Sequence, residues 1–132
     1  MPQQIAVSVV DDDESVREGM VSLMQSHGFV VRTFESAESF LCSGSGFRTD
    51  CLIADMHMPG ISGLELVGRL VAAGNAVPVI LITARDDESV RARALEVGVF
   101  CYLTKPFHEI DLLNCIRTAV DSRKMKGNGD VS

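Results

Sequence analysis

The sequence predicts an α/β fold, a five-stranded parallel sheet with five helices packed on both of its faces. Three observations predict it. Five short runs, apolar or rich in β-branched residues, alternate strictly with segments of helical length. Several of these runs are nearly continuously apolar, as strands covered on both faces must be. The punctuation of Pro59-Gly60, Gly63, Gly74, Pro78, Gly98 and Pro106 falls between the elements, so the turn signals agree with the periodicity.

The first strand is read at residues 5–10. In the helix after it, Val16, Met20, Leu23 and Met24 share one face, and Gly28 suits the left-handed C-terminal cap. Residues 30–34 form the second strand, followed by a short helix over 36–41. The third strand, 51–54, leads through Pro59-Gly60 to a helix whose stripe is Leu64, Val67, Leu70 and Val71, ending before Gly74. Residues 79–82 form the fourth strand. The helix after it, near 87–97, has only a weak stripe of Val90, Ala94 and Leu95, set among Arg85, Arg91 and Arg93. The fifth strand, 101–103, precedes a helix from 108 to 123 with Leu112, Leu113, Ile116, Ala119 and Val120 in line. Residues 1–123 are therefore expected to make one domain. Residues 124–132 are polar and lack periodicity, and read as a frayed terminus or the beginning of a linker.

A chain of 132 residues with 46% apolar and 23% charged residues can bury one ordinary core. The formal net charge of -6 argues against a nucleic-acid or membrane surface, since both partners are anionic. No apolar run approaches the roughly 20 residues that cross a bilayer. The start, Met1-Pro2-Gln3-Gln4, has no basic segment followed by an apolar stretch, so a cytoplasmic location is expected. Cys42, Cys51, Cys101 and Cys115 show no close-pair metal spacing and are expected to be reduced and mostly buried.

The polar residues fall where chemistry can use them. Asp11 and Asp12 follow the first strand, Asp55 the third, Thr83 the fourth and Lys105 the fifth. With right-handed crossovers, the carboxyl ends of parallel strands lie along one edge, where open α/β sheets bind ligands. Carboxylates brought together there repel and raise a pKa unless a cation relieves them. A hard divalent ion such as Mg²⁺, or Mn²⁺ in its place, prefers such oxygen ligands. The ion can neutralise phosphoryl oxygens while Lys105 holds another, and a carboxylate can itself attack phosphorus. The edge reads as an acceptor for a phosphoryl group.

Five motifs, Val10-Asp11-Asp12, Ala54-Asp55-Met56-His57-Met58-Pro59-Gly60, Ile82-Thr83-Ala84, Tyr102-Leu103-Thr104 and Lys105-Pro106-Phe107, are similar to those of receiver domains of two-component response regulators. Ser15-Val16-Arg17-Glu18-Gly19 and Thr33-Phe34-Glu35-Ser36-Ala37-Glu38-Ser39-Phe40-Leu41 resemble the FixJ-like subgroup. The resemblance covers about residues 5–122 and implies the strand order 2-1-3-4-5. It implies Asp55 as the phosphorylated residue, Asp12 as a direct Mg²⁺ ligand, Asp11 as a ligand through water, and the backbone carbonyl of His57 as a further ligand. It also implies that Thr83 moves to bond the phosphoryl group, that Lys105, joined to Pro106 by a cis bond, pairs with it, and that Tyr102 swings inward behind Thr83. The implied partners are a sensor histidine kinase and a second copy of the chain, held by the fourth helix, fifth strand and fifth helix after phosphorylation. DNA would be reached only through a C-terminal output domain outside this sequence, not by this domain, and no membrane contact is implied. Two departures stand out: Ala84-Arg85-Asp86-Asp87 replaces a glycine-rich turn, and Thr104 stands where relatives often carry glutamate.

Simpler readings compete. The acids at 11–13 suit a helix N-terminus, and Asp55 before Pro-Gly suits a turn. His27 sits near a helix end, and His108 has no evident partner. A Mg²⁺-dependent phosphohydrolase resembling the haloacid dehalogenases would use Asp11 as nucleophile and Asp13 as acid/base, but it needs a further acidic pair after a later strand. A flavodoxin-like FMN site would need a Ser/Thr/Gly-rich first loop, and the acids here have the wrong sign.

Overall fold

The computed structural model describes residues 4–44 and 48–129, with side chains as far as residue 122. The elements follow in the order β1 (Ala6–Val10), α1 (Glu14–Ser26), β2 (Val30–Phe34), α2 (Ala37–Ser43), β3 (Cys51–Asp55), α3 (Gly63–Ala72), β4 (Val79–Thr83), α4 (Glu88–Val97), β5 (Cys101–Thr104) and α5 (Glu109–Gly129). All strand pairs are parallel and the sheet order is β2-β1-β3-β4-β5, as the resemblance implied.

Alternation along the strands divides the core into two layers. Val7, Val9, Cys51, Ile53, Ile80 and Ile82 pack with Met20 and Met24 of α1 and with Leu112, Leu113, Ile116, Ala119 and Val120 of α5. On the other face, Val10, Leu52, Ala54, Val79, Leu81 and Tyr102 pack with Phe40 of α2, Leu66, Val67 and Leu70 of α3, and Ala94 of α4. The central strands β3 and β4 are buried almost throughout, whereas β2, at the sheet edge, is largely exposed. Ser8, buried in β1, satisfies its hydroxyl against Thr49 Oγ1 at 2.7 Å.

Local chemistry sets the helix ends. Asp13, Ser36, Ser62 and Asp87 are N-caps whose side chains accept from backbone N–H groups of the first turn. Gly28 takes the left-handed conformation after α1 with φ 80°, as its position predicted.

Several boundaries differ from the sequence reading. β3, β4 and β5 each run one residue further, so Asp55 and Thr83 end their strands rather than follow them. The ladder continues through Asp55↔Ile82 and Thr83↔Thr104, and pairing of this kind leaves no trace in local propensity. Val71 leaves the predicted α3 stripe and is 55% exposed, while Leu66 takes a core place. Leu95 of α4 is 50% exposed, so only Ala94 of that weak stripe is fully buried. Helix α5 continues to Gly129, beyond its expected end at 123; Lys124, Met125 and Lys126 are good helix formers, but the propensities of Gly127, Asn128 and Gly129 do not account for its last turn. Residues 130–132 of the expected tail lie outside the described residues. All four cysteines are free; Cys51 is buried, Cys101 and Cys115 are half-buried, and Cys42, against expectation, is exposed.

Candidate metal and phosphoryl-acceptor site

The carboxyl ends of β1, β3, β4 and β5 meet along one edge of the sheet, and the loop after β1 is tied down there. Asp11 N donates to Phe34 O at 3.1 Å, Asp13 N donates to Asp11 Oδ1 at 2.9 Å, and Arg17 Nη1 donates to Asp11 O at 2.7 Å. Asp11 is buried, Asp12 exposed and Asp55 half-buried. One carboxylate oxygen from each of the three lies within 4.8 Å of the others. The acids predicted to converge from β1 and β3 therefore do so.

Burial and mutual repulsion act together on the acids of the cluster. Burial pushes the Asp55 carboxyl above its ordinary value, with repulsion from Asp11 and Asp12 adding to it and attraction to Lys105 opposing it. Asp11 is also raised, chiefly by burial, against the hydrogen bond from Asp13 N and the pull of Lys105. Three hard oxygen donors at this spacing, two of them held above the usual carboxylate range, fit a divalent ion such as Mg²⁺. Lys105 reaches this edge through the bond from its backbone N–H to Thr83 O at 2.8 Å, and the Lys105-Pro106 bond is cis.

The third strand's exit is shaped by glycines. Gly60 follows Pro59 with φ 79°, a conformation that a side chain would strain. Gly63 N donates to Met56 O at 3.1 Å, closing the loop of 56–62. A Cβ on Gly63 would collide with the Asp55 carbonyl oxygen and come within 2.8 Å of Leu81 Cδ2. Gly63 thus lets the α3 N-terminus press against the acceptor strand. In the sequence Gly63 marks only a break between elements and Arg17 only part of a motif; neither carries a signal of its contact with the backbone of Asp55 or of Asp11.

Thr83 is buried, and its Oγ1 accepts from Arg85 N at 3.2 Å. The His57 side chain is exposed and exerts a weak attraction on Asp55. Tyr102 is buried, with the residue 6% exposed and its hydroxyl without a hydrogen-bond partner among the described residues.

Asp13 stands apart from the cluster. It accepts from Ser15 N at 2.9 Å and Ser15 Oγ at 2.7 Å, and these bonds lower its pKa. The simpler capping reading is right for Asp13 and wrong for Asp11 and Asp12. The phosphohydrolase reading loses its acid/base, since Asp13 is engaged as a cap.

A doubly wound sheet in this order, with an acid cluster and a lysine at its carboxyl edge, defines a signal-receiver domain. Residues 7–117 match the family model described as the response regulator receiver domain, and the chain belongs to that family. Over 127 residues it is 35% identical to the transcriptional regulatory protein FixJ of Azorhizobium caulinodans, covering 96% of this chain and 60% of that protein. It is 39% identical over 118 residues to the response regulator protein TmoT of Ectopseudomonas mendocina, covering 89% and 54% respectively. The chain thus spans little more than half the length of these relatives. Among solved structures, the response regulator StyR is similar with a TM-score of 0.85 at 39% identity, over 97% of this chain and 67% of that one. FixJ-N is similar with a TM-score of 0.81 at 30% identity, over 91% and 96%. The chain is a receiver domain of the FixJ-like kind, a signalling switch of two-component systems. No described helix is long and apolar enough to cross a membrane.

Proposed function

We propose that Asp55 accepts a phosphoryl group from a phosphohistidine on a sensor histidine kinase in the cytoplasm. One observation carries the reading: carboxylate oxygens of Asp11, Asp12 and Asp55 share one small space within reach of the Lys105 charge. Asp12 and Asp55 would hold Mg²⁺ directly, Asp11 through water, with the His57 carbonyl as a further ligand. When bound, the ion supplies positive charge against the phosphoryl oxygens. An Asp55 oxygen attacks phosphorus and the P–N bond to the kinase histidine breaks, leaving an aspartyl phosphate here and a free imidazole there. Lys105 neutralises a phosphoryl oxygen, and Thr83 gives up the Arg85 N–H to donate its hydroxyl to another.

The response would pass from Thr83 and Tyr102 to α4, β5 and α5, where a second copy binds. Relatives named as transcriptional regulators suggest DNA as the final target, reached through an output domain outside this sequence. The test is phosphorylation by acetyl phosphate with Mg²⁺, read by intact mass. Asp55→Asn should gain no phosphoryl mass; a gain equal to wild type refutes the acceptor assignment. Thr83→Ala should still be phosphorylated but dimerise less, and equal phospho-dependent dimerisation of the two proteins refutes the coupling.

A further inference from the structure

We propose that Arg91 is a positioning residue for Tyr102, a latch by which α4 holds the aromatic inside. The proposal rests on the reading of Tyr102 as the switch residue. Tyr102 lies on β5, an edge strand, yet the residue is 6% exposed. Its hydroxyl is buried without a hydrogen-bond partner among the described residues, which costs free energy. Apolar packing with Ala94 and its neighbours holds the ring, and among the described residues no hydrogen bond adds to it. The Arg91 guanidinium carbon stands 5.7 Å from the ring centroid, within cation–π range. Arg91 lies one turn before Ala94, the fully buried residue of α4, which packs in the same cluster as Tyr102. Arg91 as a residue is exposed, so it covers the buried tyrosine from the solvent side.

The contact couples two things that would otherwise move separately. Outward rotation of the ring breaks the contact with α4, and displacement of α4 releases the ring. Such coupling is reciprocal: whatever shifts one equilibrium shifts the other by the same factor. Arg91 then biases the chain toward the arrangement in which the aromatic is inside.

The sequence holds one tyrosine and no tryptophan, so tyrosine emission excited at wavelengths beyond phenylalanine absorption reports Tyr102 alone. The experiment is acrylamide quenching of that emission in the wild-type chain, Arg91→Met and Arg91→Lys, without phosphodonor. Methionine keeps an apolar stem and loses the charge, whereas lysine keeps the charge. Arg91→Met should raise the quenching constant by about two- to fivefold, the range that a surface cation–π contact commands, and Arg91→Lys should restore most of the protection. A quenching constant for Arg91→Met equal to wild type overturns the latch. So does a Lys variant quenched as readily as the Met variant. Far-ultraviolet dichroism confirms folding, and Arg91→Gln replaces a Met variant that fails it, with the same outcomes. Intact mass after acetyl phosphate treatment reads the acceptor assignment separately, so its failure and that of the latch are distinguishable.

Discussion

Replacing Asp55 by asparagine removes one of three carboxylates whose oxygens lie within 4.8 Å of one another. Two unit charges at that separation repel by about 3.5 kcal/mol at an effective dielectric of about 20, and by about 0.9 kcal/mol in bulk water. Asp12 is exposed and Asp55 half-buried, so solvent screening places the repulsion toward the lower figure. The attraction between Asp55 and Lys105, lost in the same substitution, offsets part of what remains. Asp55→Asn should therefore stabilise the chain by about 1 kcal/mol at neutral pH in chelator, a rise in Tm of about 3–5 °C for a domain of this size. The pH dependence has a definite sign. The Asp55 carboxyl is raised above its ordinary value of 3.8, so its burden on the fold is absent below that pH and develops as pH rises through the folded value. Wild type and variant should converge below pH 3.8. Millimolar Mg²⁺ should reverse the order at neutral pH, because it binds the folded wild type and finds one ligand fewer in the variant. Thermal melts followed by dichroism, with chelator and with Mg²⁺, measure all of this. A variant that melts at or below wild type in chelator refutes the reasoning, as does an equal Mg²⁺ gain in both proteins.

Gly63→Ala should cost about 1–3 kcal/mol in urea unfolding, because the new methyl meets the Asp55 carbonyl and Leu81; an unchanged midpoint would show that α3 can retreat freely. Ile116→Ala, which empties a fully buried site under the sheet, should cost about 2–5 kcal/mol by the same measurement, and a loss below about 1 kcal/mol would mean that the layer collapses to fill the space. The N-caps Asp13 and Asp87 have pKa values lowered by bonds from Ser15 and Ser89, so their contribution is present above 3.8 and is lost as pH falls through the lowered values. The double variant Asp13→Asn, Asp87→Asn should keep the caps but flatten the acid limb of stability, and an unchanged limb would assign it to other groups.

The alternation of strands and helices, the two faces of the sheet and the α5 stripe were legible in the sequence because each is a local periodicity that burial rewards directly. The acid triad was legible too, through one topological rule: parallel strands with right-handed crossovers bring Asp11, Asp12 and Asp55 to a common edge. Tertiary structure alone decided matters that depend on distance between elements remote in sequence. It separated Asp13, a cap, from its two acidic neighbours, because the direction of a side chain in a turn is set by the hydrogen bonds that the turn leaves open. It assigned Gly63 to the approach of α3 toward Asp55 and placed Arg91 over Tyr102. Both contacts join residues with no shared period, so composition and spacing carry no signal of them. The burial of Tyr102 with an unpartnered hydroxyl is of the same kind: a tyrosine on an edge strand can face in or out, and only the packing of α4 against β5 chooses.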